Sequence, residues 1–329
     1  MPRPEGQHTP APEEIKAASA PLDWSPEETA RLKALAREFA ALRDKTNATP
    51  ADDVRLQAIA DELKEAIAEK ERTSSDSRAD FREAETILKE NFLGPDAFEK
   101  TFGFKPDNVP ALPYSTAELE KCNALNEQVV LRLATDADGN PMNIPRLQAL
   151  FKEKTGQKLL YTDWDPAKQP FAAETPKLEW KRVSKDVIPG SKNKNYFDQT
   201  VILYDYLVKA GTLLNDANER TRLVAEVQRI HAKYDQDPDN NWKQAADELA
   251  TIPINKTYRR KAVETLSDVG LRKGAVGDYQ LPAGSYDWGN SRYSDGYFVL
   301  VGYFDAQGAR VDLDRPGYSS PALGVCSSR

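Results

Sequence analysis

The residues of this chain with the strongest chemical character are concentrated in its last 56 positions. From Gly274 to Arg329 the sequence has no Lys and no Glu, although the preceding 273 residues hold 24 of each. The same stretch carries 6 of the 13 Tyr, 9 of the 17 Gly and 7 Ser. Tyr, Ser, Gly, Asn, Asp and Arg give contact area and adaptable hydrogen bonds at low entropy cost, whereas Lys and Glu are depleted from interfaces. The segment therefore predicts a displayed binding surface; the alternative is a β-rich end, because strands also disfavour Lys and Glu.

Side chains in a strand alternate between the two faces of a sheet, so some of these aromatic residues must belong to a core. For residues 297–303 this alternation predicts two faces. One face has Phe298, Leu300 and Gly302, and the other has Tyr297, Val299, Val301 and Tyr303. The predicted ligand contacts are Asn290, Tyr293, Tyr297, Tyr303, Arg310, Asp312, Asp314, Arg315 and Tyr318. The predicted frame that holds them is apolar and consists of Trp288, Phe304, Val311, Leu323 and Val325.

Catalytic patterns are sparse. No Walker loop is present, and the glycine-dense stretch from Gly270 to Gly277 is interpreted as a turn because it follows a helix and lacks the Lys-Ser/Thr pair. A Ser–His–Asp or Cys–His set could be assembled only around His231, which is expected to be solvated or half-packed. The acidic pairs Asp237/Asp239 and Asp312/Asp314 could serve a glycosidase, but solvated charges are favoured because neither Glu nor His is near them. We therefore do not expect an enzyme.

Metal and cofactor binding are not predicted either. Cys122 and Cys326 fall in different predicted domains, which disfavours a disulfide and fits a reducing compartment. The cysteines and histidines are too few and too scattered for zinc, and Cys326 is expected to be buried. The run Asp136-x-Asp138-Gly139-Asn140 places Gly fourth, whereas a calcium loop of the EF-hand type requires it sixth, so a turn is predicted there.

Composition sets the broad class. A chain of 329 residues with 40% hydrophobic and 29% charged residues is long enough for two or three ordinary globular domains. The net charge of −7 argues against a nucleic-acid-binding protein. No apolar run approaches the roughly 18 residues of a membrane span, and the N-terminus lacks the apolar core of a signal peptide. A cytoplasmic location is therefore expected, with neither nucleic acid nor membrane as a partner.

Positions 1–158 are predicted to contain a polar tail and two further segments. Residues 1–22 are expected to be disordered, and residues 23–93 to form a helical scaffold. Its three amphipathic helices are predicted to begin at Ser25-Pro26, after Thr49-Pro50 and at about Asp76, and could form a hairpin that oligomerises. Residues 94–158 are predicted to be a small α/β segment, with a helix from Ser115 through Asn126, a strand Gln128–Ala134 and a helix Ile144–Lys154.

Residues 159–329 are predicted to mix helices with a β-rich end. The sequence indicates a strand Lys177–Ser184 and helices over Tyr196–Val208, Asn218–Tyr234, Asn241–Ile252 and Tyr258–Val269. Asp305–Gly308 is a predicted hairpin loop between strands Val299–Phe304 and Ala309–Leu313, and Leu323–Ser327 is a predicted last strand. Trp164, Trp180 and Trp242 are expected in cores.

The C-terminal pattern resembles the variable region of target proteins of diversity-generating retroelements, which are known from bacteria and phages. The residues that carry it are Trp288-x-x-Ser291-Arg292, Asp295-Gly296-x-x-Val299-x-Val301-Gly302-x-Phe304, Gly308, Val311, Pro316 and Leu323-Gly324-Val325. In such systems adenines of a template are randomised as it is copied into the 3′ end of the gene, and Asn-type codons never become Lys or Glu. The chain departs from better-known members at its end, where they finish with a Gly-Phe-Arg type strand, and Gln307 must be a fixed position.

The resemblance implies an α+β fold in which an N-terminal helical region precedes a C-type lectin-like domain of the formylglycine-generating-enzyme type. That domain would span residues 159–329, with a small antiparallel sheet, flanking helices and a variable region at about 285–329. Its last strand, Leu323–Ser328, would pair with its first, Lys177–Ser184. The function implied is that of a hypervariable, non-enzymatic binding protein whose variable face takes a protein or another macromolecule.

Two other functions remain open from the sequence. A hydrolase on the same fold would use the paired aspartates and would require a closed polar pocket with a raised pKa at Asp312 or Asp314. A structural protein would assemble through its N-terminal helices. A downstream near-repeat of the coding segment, differing only at adenines, would favour the retroelement hypothesis.

Overall fold

The computed structural model describes residues 26–43, 45, 49–76, 80–107, 109–161, 169–278, 281 and 284–329. The predicted tail at 1–22 and Trp164 lie outside the described residues. The chain forms two compact units, one of Met1–Ala79 with Pro113–Ser115 and the other of Asp80–Leu112 with Thr116–Arg329. The fold is α+β with two small mixed sheets, which confirms the predicted class.

The first unit contains a helical hairpin. Helix α1 spans Pro26–Arg43 and helix α2 spans Pro50–Asp76. Two ion pairs cross between the helices, and in each the residue numbers add up to the same total, as an antiparallel arrangement requires: Arg31 with Glu62 at 2.6 Å and Arg55 with Glu38 at 2.8 Å. The predicted hairpin is therefore present, and Leu35, Ile59 and Ala60 are buried in it.

The third predicted helix begins later than expected and belongs to the second unit. Helix α2 continues to Asp76, and helix α3 spans Phe81–Leu88. The start of α3 is set by Asp80, whose carboxylate accepts the backbone N–H of Glu83 at 2.7 Å. The start predicted at about Asp76 is wrong because the apolar spacing does not show where this cap lies.

A three-stranded sheet lies at the centre of the second unit. Its strands are β1 (Phe92–Leu93), β2 (Glu127–Arg132) and β3 (Glu179–Ser184), with β1 parallel and β3 antiparallel to β2. The C-terminal residues extend this sheet, since Ser328 forms a bridge with Val183 and the N–H of Arg182 donates to the carbonyl of Arg329 at 2.8 Å. The predicted pairing of Leu323–Ser328 with the 177–184 strand is therefore confirmed only for the last residues, because Leu323 and Gly324 pair with Tyr286 and Asp287 instead.

Three α-helices are described between β1 and β3 in the chain: α4 (Pro95–Phe102), α5 (Thr116–Ala124) and α6 (Ile144–Thr155). The loop before α6 is the predicted turn. Asp136 accepts the N–H groups of Asp138 and Asn140, and its carboxylate pairs with Arg146 at 2.5 Å. A carboxylate engaged in this way stabilises the turn, and no cluster of metal ligands occurs among the described residues.

Five helices follow β3, and their bounds are Tyr196–Lys209 (α7), Ala217–Gln236 (α8), Pro238–Thr251 (α9), Pro253–Tyr258 (α10) and Ala262–Val276 (α11). The predicted helix Tyr258–Val269 is wrong at both ends, because the chain is extended at Arg259 and α11 continues to Val276. The turn predicted for Gly270–Gly277 is also wrong: Gly270 and Gly274 are helical, and the left-handed Gly277 ends the helix. No helix in the described ranges is long and apolar enough to cross a membrane.

The second sheet has the strand order β6-β5-β4-β7, where β4 is Tyr286–Arg292, β5 is Phe298–Asp305, β6 is Gly308–Asp314 and β7 is Leu323–Gly324. The hairpin loop at 305–308 is as predicted, with Gly308 at φ 109°. The sheet is mixed rather than purely antiparallel, because β7 runs parallel to β4. One face packs against α7, α8 and α9 through Trp288, Phe298 and Leu300, and β4 and β5 also contact α11.

Buried ion pairs tie α11 to both sheets. Asp268 of α11 accepts Arg132 of β2 at 2.6 Å and Arg260 at 3.2 Å, and Arg260 also pairs with Asp287 of β4 at 2.7 Å. Asp287 further accepts the backbone N–H of Cys326 at 2.8 Å. All four charged side chains are buried, and each has a partner of opposite charge within the network.

Candidate binding surface

Strand β6 places three of the predicted contacts on one face. Arg310, Asp312 and Asp314 alternate along the strand, and their partners on β5 are Gly302, Leu300 and Phe298. The three side chains therefore continue the face that packs on the helices, outward to the edge strand. Of the three, Asp312 is exposed, and Arg310 and Asp314 are half-exposed.

A β-bulge brings a fourth predicted contact onto this face. The register of β5 against β6 shifts between Gly302 and Asp305, and Tyr303 within the shift has a left-handed backbone with φ 54°. Its ring lies 5.7 Å from that of Tyr286 and 4.9 Å from the guanidinium carbon of Arg310. The bulge thus turns Tyr303 toward residues whose partner on β5 is Gly302.

The alternation predicted for the β5 region is therefore wrong at Tyr303. The sequence assigned Tyr303 to the face of Val299 and Val301, and that assignment assumed a regular strand throughout. A bulge adds a residue to one strand without a partner and changes the direction of the next side chain. Tyr297, assigned to the same face, lies just before the strand begins at Phe298.

Tyr161, Tyr286, Tyr303 and Arg310 form what we name the edge cluster. The guanidinium carbon of Arg310 lies 5.2 Å from the ring centroid of Tyr161, in addition to its contact with Tyr303. Arg310 also lies 3.9 Å from the carboxylate of Asp305, and its side chain is 43% exposed. Guanidinium–aromatic contacts of this kind hold an arginine in place while its outer N–H groups stay open to a ligand.

The two aspartates of β6 have different surroundings. Asp312 accepts the N–H of Leu313, at 2.8 Å, and Asp314 accepts the N–H of Arg315, at 3.1 Å. Neither carboxylate has a basic side chain as ion-pair partner in the described part of the chain. Burial, together with the nearby Asp312 carboxylate, raises the pKa of Asp314 to about 6. The cost of burying this charge is therefore not balanced by a paired cation.

Two other predicted contacts meet beyond the end of β6, in what we name the turn cluster: Asp239, Trp242, Tyr297 and Arg315. The ring of Tyr297 lies 4.4 Å from Trp242, and the guanidinium carbon of Arg315 lies 5.1 Å from the same indole. Arg315 also pairs with Asp239 at 2.8 Å. Because a strand rises about 3.3 Å per residue, Arg310 and Arg315 are about 17 Å apart along the chain.

The remaining predicted contacts are placed differently. Tyr318 is 48% exposed in the loop after β6 and is among the exposed large hydrophobic side chains of the described residues. Tyr293 is half-exposed and closes the turn between β4 and β5, where its N–H donates to the carbonyl of Tyr297 at 2.9 Å. Asn290 is engaged internally, because its side chain accepts from the Tyr196 hydroxyl at 3.1 Å and donates to the Ala250 carbonyl at 3.4 Å.

Four of the five predicted frame residues are buried: Trp288, Phe304, Leu323 and Val325. Val311 is the exception and is half-exposed on the opposite side of β6 from Arg310. The frame also depends on Gly302, where a Cβ would lie 2.1 Å from the carbonyl oxygen of Ser285. Backbone from β4 therefore occupies the space that any other residue at position 302 would need.

Sequence reasoning missed the residues that other elements add to this surface. Tyr161 precedes the C-terminal segment by more than a hundred positions, and Trp242 on α9 was expected only as a core residue. Trp242 is indeed buried, with 5% exposure, yet its ring is also the base of the turn cluster. The one feature of the sequence that pointed to Trp242 was an aromatic residue beside polar and charged neighbours on a helix. This feature does not by itself indicate an interface.

His231 and Cys326 are both packed against other residues of the second unit. His231 is half-packed as predicted, stacked 4.2 Å from Phe197 and 3.6 Å from Asp235. Cys326 is fully buried, as predicted, and burial raises the pKa of its thiol well above the ordinary value. No protein-family model, curated protein or solved structure matches this chain.

Proposed function

We propose that this protein is a non-enzymatic ligand-binding protein, in which a C-type lectin-like domain displays exchangeable side chains near its C-terminus. The observation that carries the proposal is the contrast between a buried frame in the second sheet and exposed tyrosines at its edge and in the loop after β6. Trp288, Phe298 and Leu300 are buried against helices, whereas Tyr303 and Tyr318 are 40% and 48% exposed. A frame held by buried residues and backbone hydrogen bonds tolerates changes in the exposed set.

The proposed contact surface combines the edge cluster, the turn cluster, Asp312, Asp314 and Tyr318. Its composition of tyrosines, arginines and aspartates suits a folded protein ligand, because such side chains provide large contact area and directional polar groups. Asn290 is assigned to the frame, since both ends of its amide are engaged within the protein. Following the resemblance, we propose that the segment is diversified by a retroelement of a bacterium or phage and that the protein acts in the cytoplasm.

Binding can be tested on the full chain by selecting peptides that bind it from a displayed random library. We then expect Tyr303→Ala and Tyr318→Ala each to weaken the selected peptide by about 1–3 kcal/mol, since exposed tyrosines are common hot spots. Leu178→Ala is the matched control, because Leu178 is 48% exposed but lies outside the surface. Equal loss with the control, or an equal fall in melting temperature in all variants, would contradict the proposal.

The origin of the diversity has a separate test. Sequencing the DNA downstream of the gene should reveal a near-repeat of the segment encoding about residues 285–329, differing only at adenines, beside a reverse transcriptase gene. Absence of both from the complete genome would remove the retroelement from the proposal while leaving ligand binding open to the peptide test.

One observation favours a second candidate, a hydrolase that uses Asp312 and Asp314. The pKa of Asp314 is about 6, and a carboxylic acid with a pKa in this range can donate a proton near neutral pH. The candidate predicts that chromogenic glycosides are cleaved and that Asp314→Asn abolishes the cleavage. No turnover by the unmodified chain would eliminate it.

A further inference from the structure

We propose that the second unit contains a small-molecule site, in the cleft between α7 and the segment that follows β3, and that it takes an organic ammonium group on a short apolar body. The cleft has a volume of about 550 Å³, which is within the usual range for small-ligand sites. No residue of the 285–329 segment is among those that line it, so this site is independent of the proposed binding surface.

One wall of the cleft is a single stripe of α7. Ile202, Asp205, Tyr206 and Lys209 follow the spacing of three and four that places residues on one side of a helix. The neighbouring stripe with Leu203 and Leu207 is buried in the core. The lining stripe is therefore held rigidly by the packing of its own helix.

The opposite wall is apolar and well anchored. Val187 and Ile188 are buried, and the N–H of Ile188 donates to the carbonyl of Val325 at 2.8 Å. The floor includes Tyr206, whose hydroxyl donates to the buried carboxylate of Glu127 at 2.7 Å. This hydrogen bond fixes the ring of Tyr206 at the cleft.

The lining of the cleft contains one carboxylate that has no basic partner among the described residues. Asp186 accepts only the N–H of Val187, at 2.6 Å, and no basic side chain of the described ranges pairs with it. Asp205 is a second carboxylate, held on both oxygens by Arg220 at 2.7 and 2.9 Å. Lys209 is the cation of the rim, and it lies in the last turn of α7, where the helix dipole already favours a positive charge. Asp186 is thus the carboxylate whose charge an ammonium group would balance.

The test is a titration of the full chain with n-hexylammonium, followed by backbone amide chemical shifts, with hexanoate and 1-hexanol as isosteric comparisons. We expect saturable shifts at Asn126, Asp186 and Ile188 with the ammonium compound and much weaker binding of the other two. Asp186→Asn should weaken the ammonium compound about tenfold or more, as expected for loss of one charge-assisted contact. The matched control Asp198→Asn, which alters an exposed carboxylate in the first turn of α7, should bind as the unmodified chain does.

A second variant covers the case in which Asp186→Asn does not fold. Ile202→Lys places a competing ammonium group in the cleft from a half-exposed position and should abolish binding. The proposal is overturned if hexanoate or hexanol binds equally well, if the affinity is unchanged in a folded Asp186→Asn or Ile202→Lys variant, or if no saturable shift occurs at the cleft. None of these outcomes bears on the peptide test of the C-terminal surface.

Discussion

Tyr303 reaches the edge cluster because of its own backbone conformation. Its φ of 54° lies in the left-handed region, which costs a non-glycine residue about 1 kcal/mol or more. Its ring contacts with Tyr286 and Arg310 offset part of that cost. The strained backbone of Tyr303 thus places its ring in the edge cluster, and strained residues of this kind are concentrated at functional sites.

This strain predicts an unusual order of stability for two truncations. Tyr303→Gly should be more stable than Tyr303→Ala by about 1 kcal/mol, because glycine adopts the left-handed conformation without steric cost. At an ordinary strand position the order is reversed. Chemical denaturation of both variants measures the difference, and the same pair at Val299, which lies in the regular part of β5, is the control.

Asp314 gives a prediction about pH. Its folded-state pKa of about 6 is above the ordinary value of 3.8, so between about pH 4 and pH 6 the folded protein holds a proton there that the unfolded chain has lost. The contribution of Asp314 to stability therefore falls as the pH rises from about 4 to about 6 and stays low above that.

Asp314→Asn should consequently stabilise the protein at pH 7, by about 1 kcal/mol once solvent screening of this half-exposed group is allowed for, and should have little effect at pH 4. Asparagine can still accept the N–H of Arg315. Denaturation midpoints at both pH values provide the measurement, with Asp295→Asn in the exposed β4–β5 turn as the control. A stabilisation of equal size at both pH values would mean that Asp314 is not the titrating group.

At the scale of elements, the end of the chain acts as a strand of the first sheet. Arg329 pairs with the fully buried carboxylate of Glu127 at 2.6 Å, and its backbone bonds with Arg182 of β3. The local sequence pattern does not reveal the pair of Arg329 with Glu127, because these residues are 202 positions apart. The resemblance supplied the pairing, while the charge pair that secures it became visible only with the fold.

Arg329→Ala should therefore destabilise the protein by about 3–5 kcal/mol, since it leaves the Glu127 charge buried with fewer partners. Arg229→Ala is the contrasting change, because Arg229 pairs with Glu226 and Glu248 at an exposed site and should matter little. Thermal unfolding of both variants distinguishes the two cases. Similar small effects would show that the chain end is not required for the sheet.

Helices were predictable where an apolar stripe and a cap coincide. Helix α7 begins at Tyr196 as predicted, because the Asn195 side chain accepts the N–H of Asp198 at 2.9 Å and marks the start. The helix predicted at Tyr258 failed because Arg259 has an extended backbone and buries its side chain against Tyr196, 3.6 Å from the ring centroid. A buried arginine looks like an exposed helical residue in sequence.

At the scale of the whole second unit, the Arg132–Asp268–Arg260–Asp287 network joins the two sheets through one helix. The hydrophobic pattern predicted the helix and the strands, but the pairing of these charges depends on contacts between residues 8 to 136 positions apart. Only part of the candidate surface was predictable from the sequence. The strand β6 positions follow from alternation, whereas Tyr161 and Trp242 arrive through tertiary packing.

Asp268→Ala should cost about 3–5 kcal/mol, because both Arg132 and Arg260 would keep buried charges with one carboxylate fewer. Asp247→Ala removes a carboxylate that pairs with Arg292 but is 76% exposed, and it should have a small effect. Urea denaturation compares the two. An equally small loss for Asp268→Ala would show that the network is not what joins the sheets.

Tyr161 and Trp242 lie outside the segment in which exchange is proposed, yet each forms a wall of a cluster within it. Codon changes restricted to the end of the gene would leave the side chains of these two residues the same in every variant of the protein. Every variant would then keep the same two aromatic rings, and an arginine or another flat cationic group at position 310 or 315 could pack against them. The repertoire would be a set of variations around two constant anchors rather than an unbiased sample of surfaces.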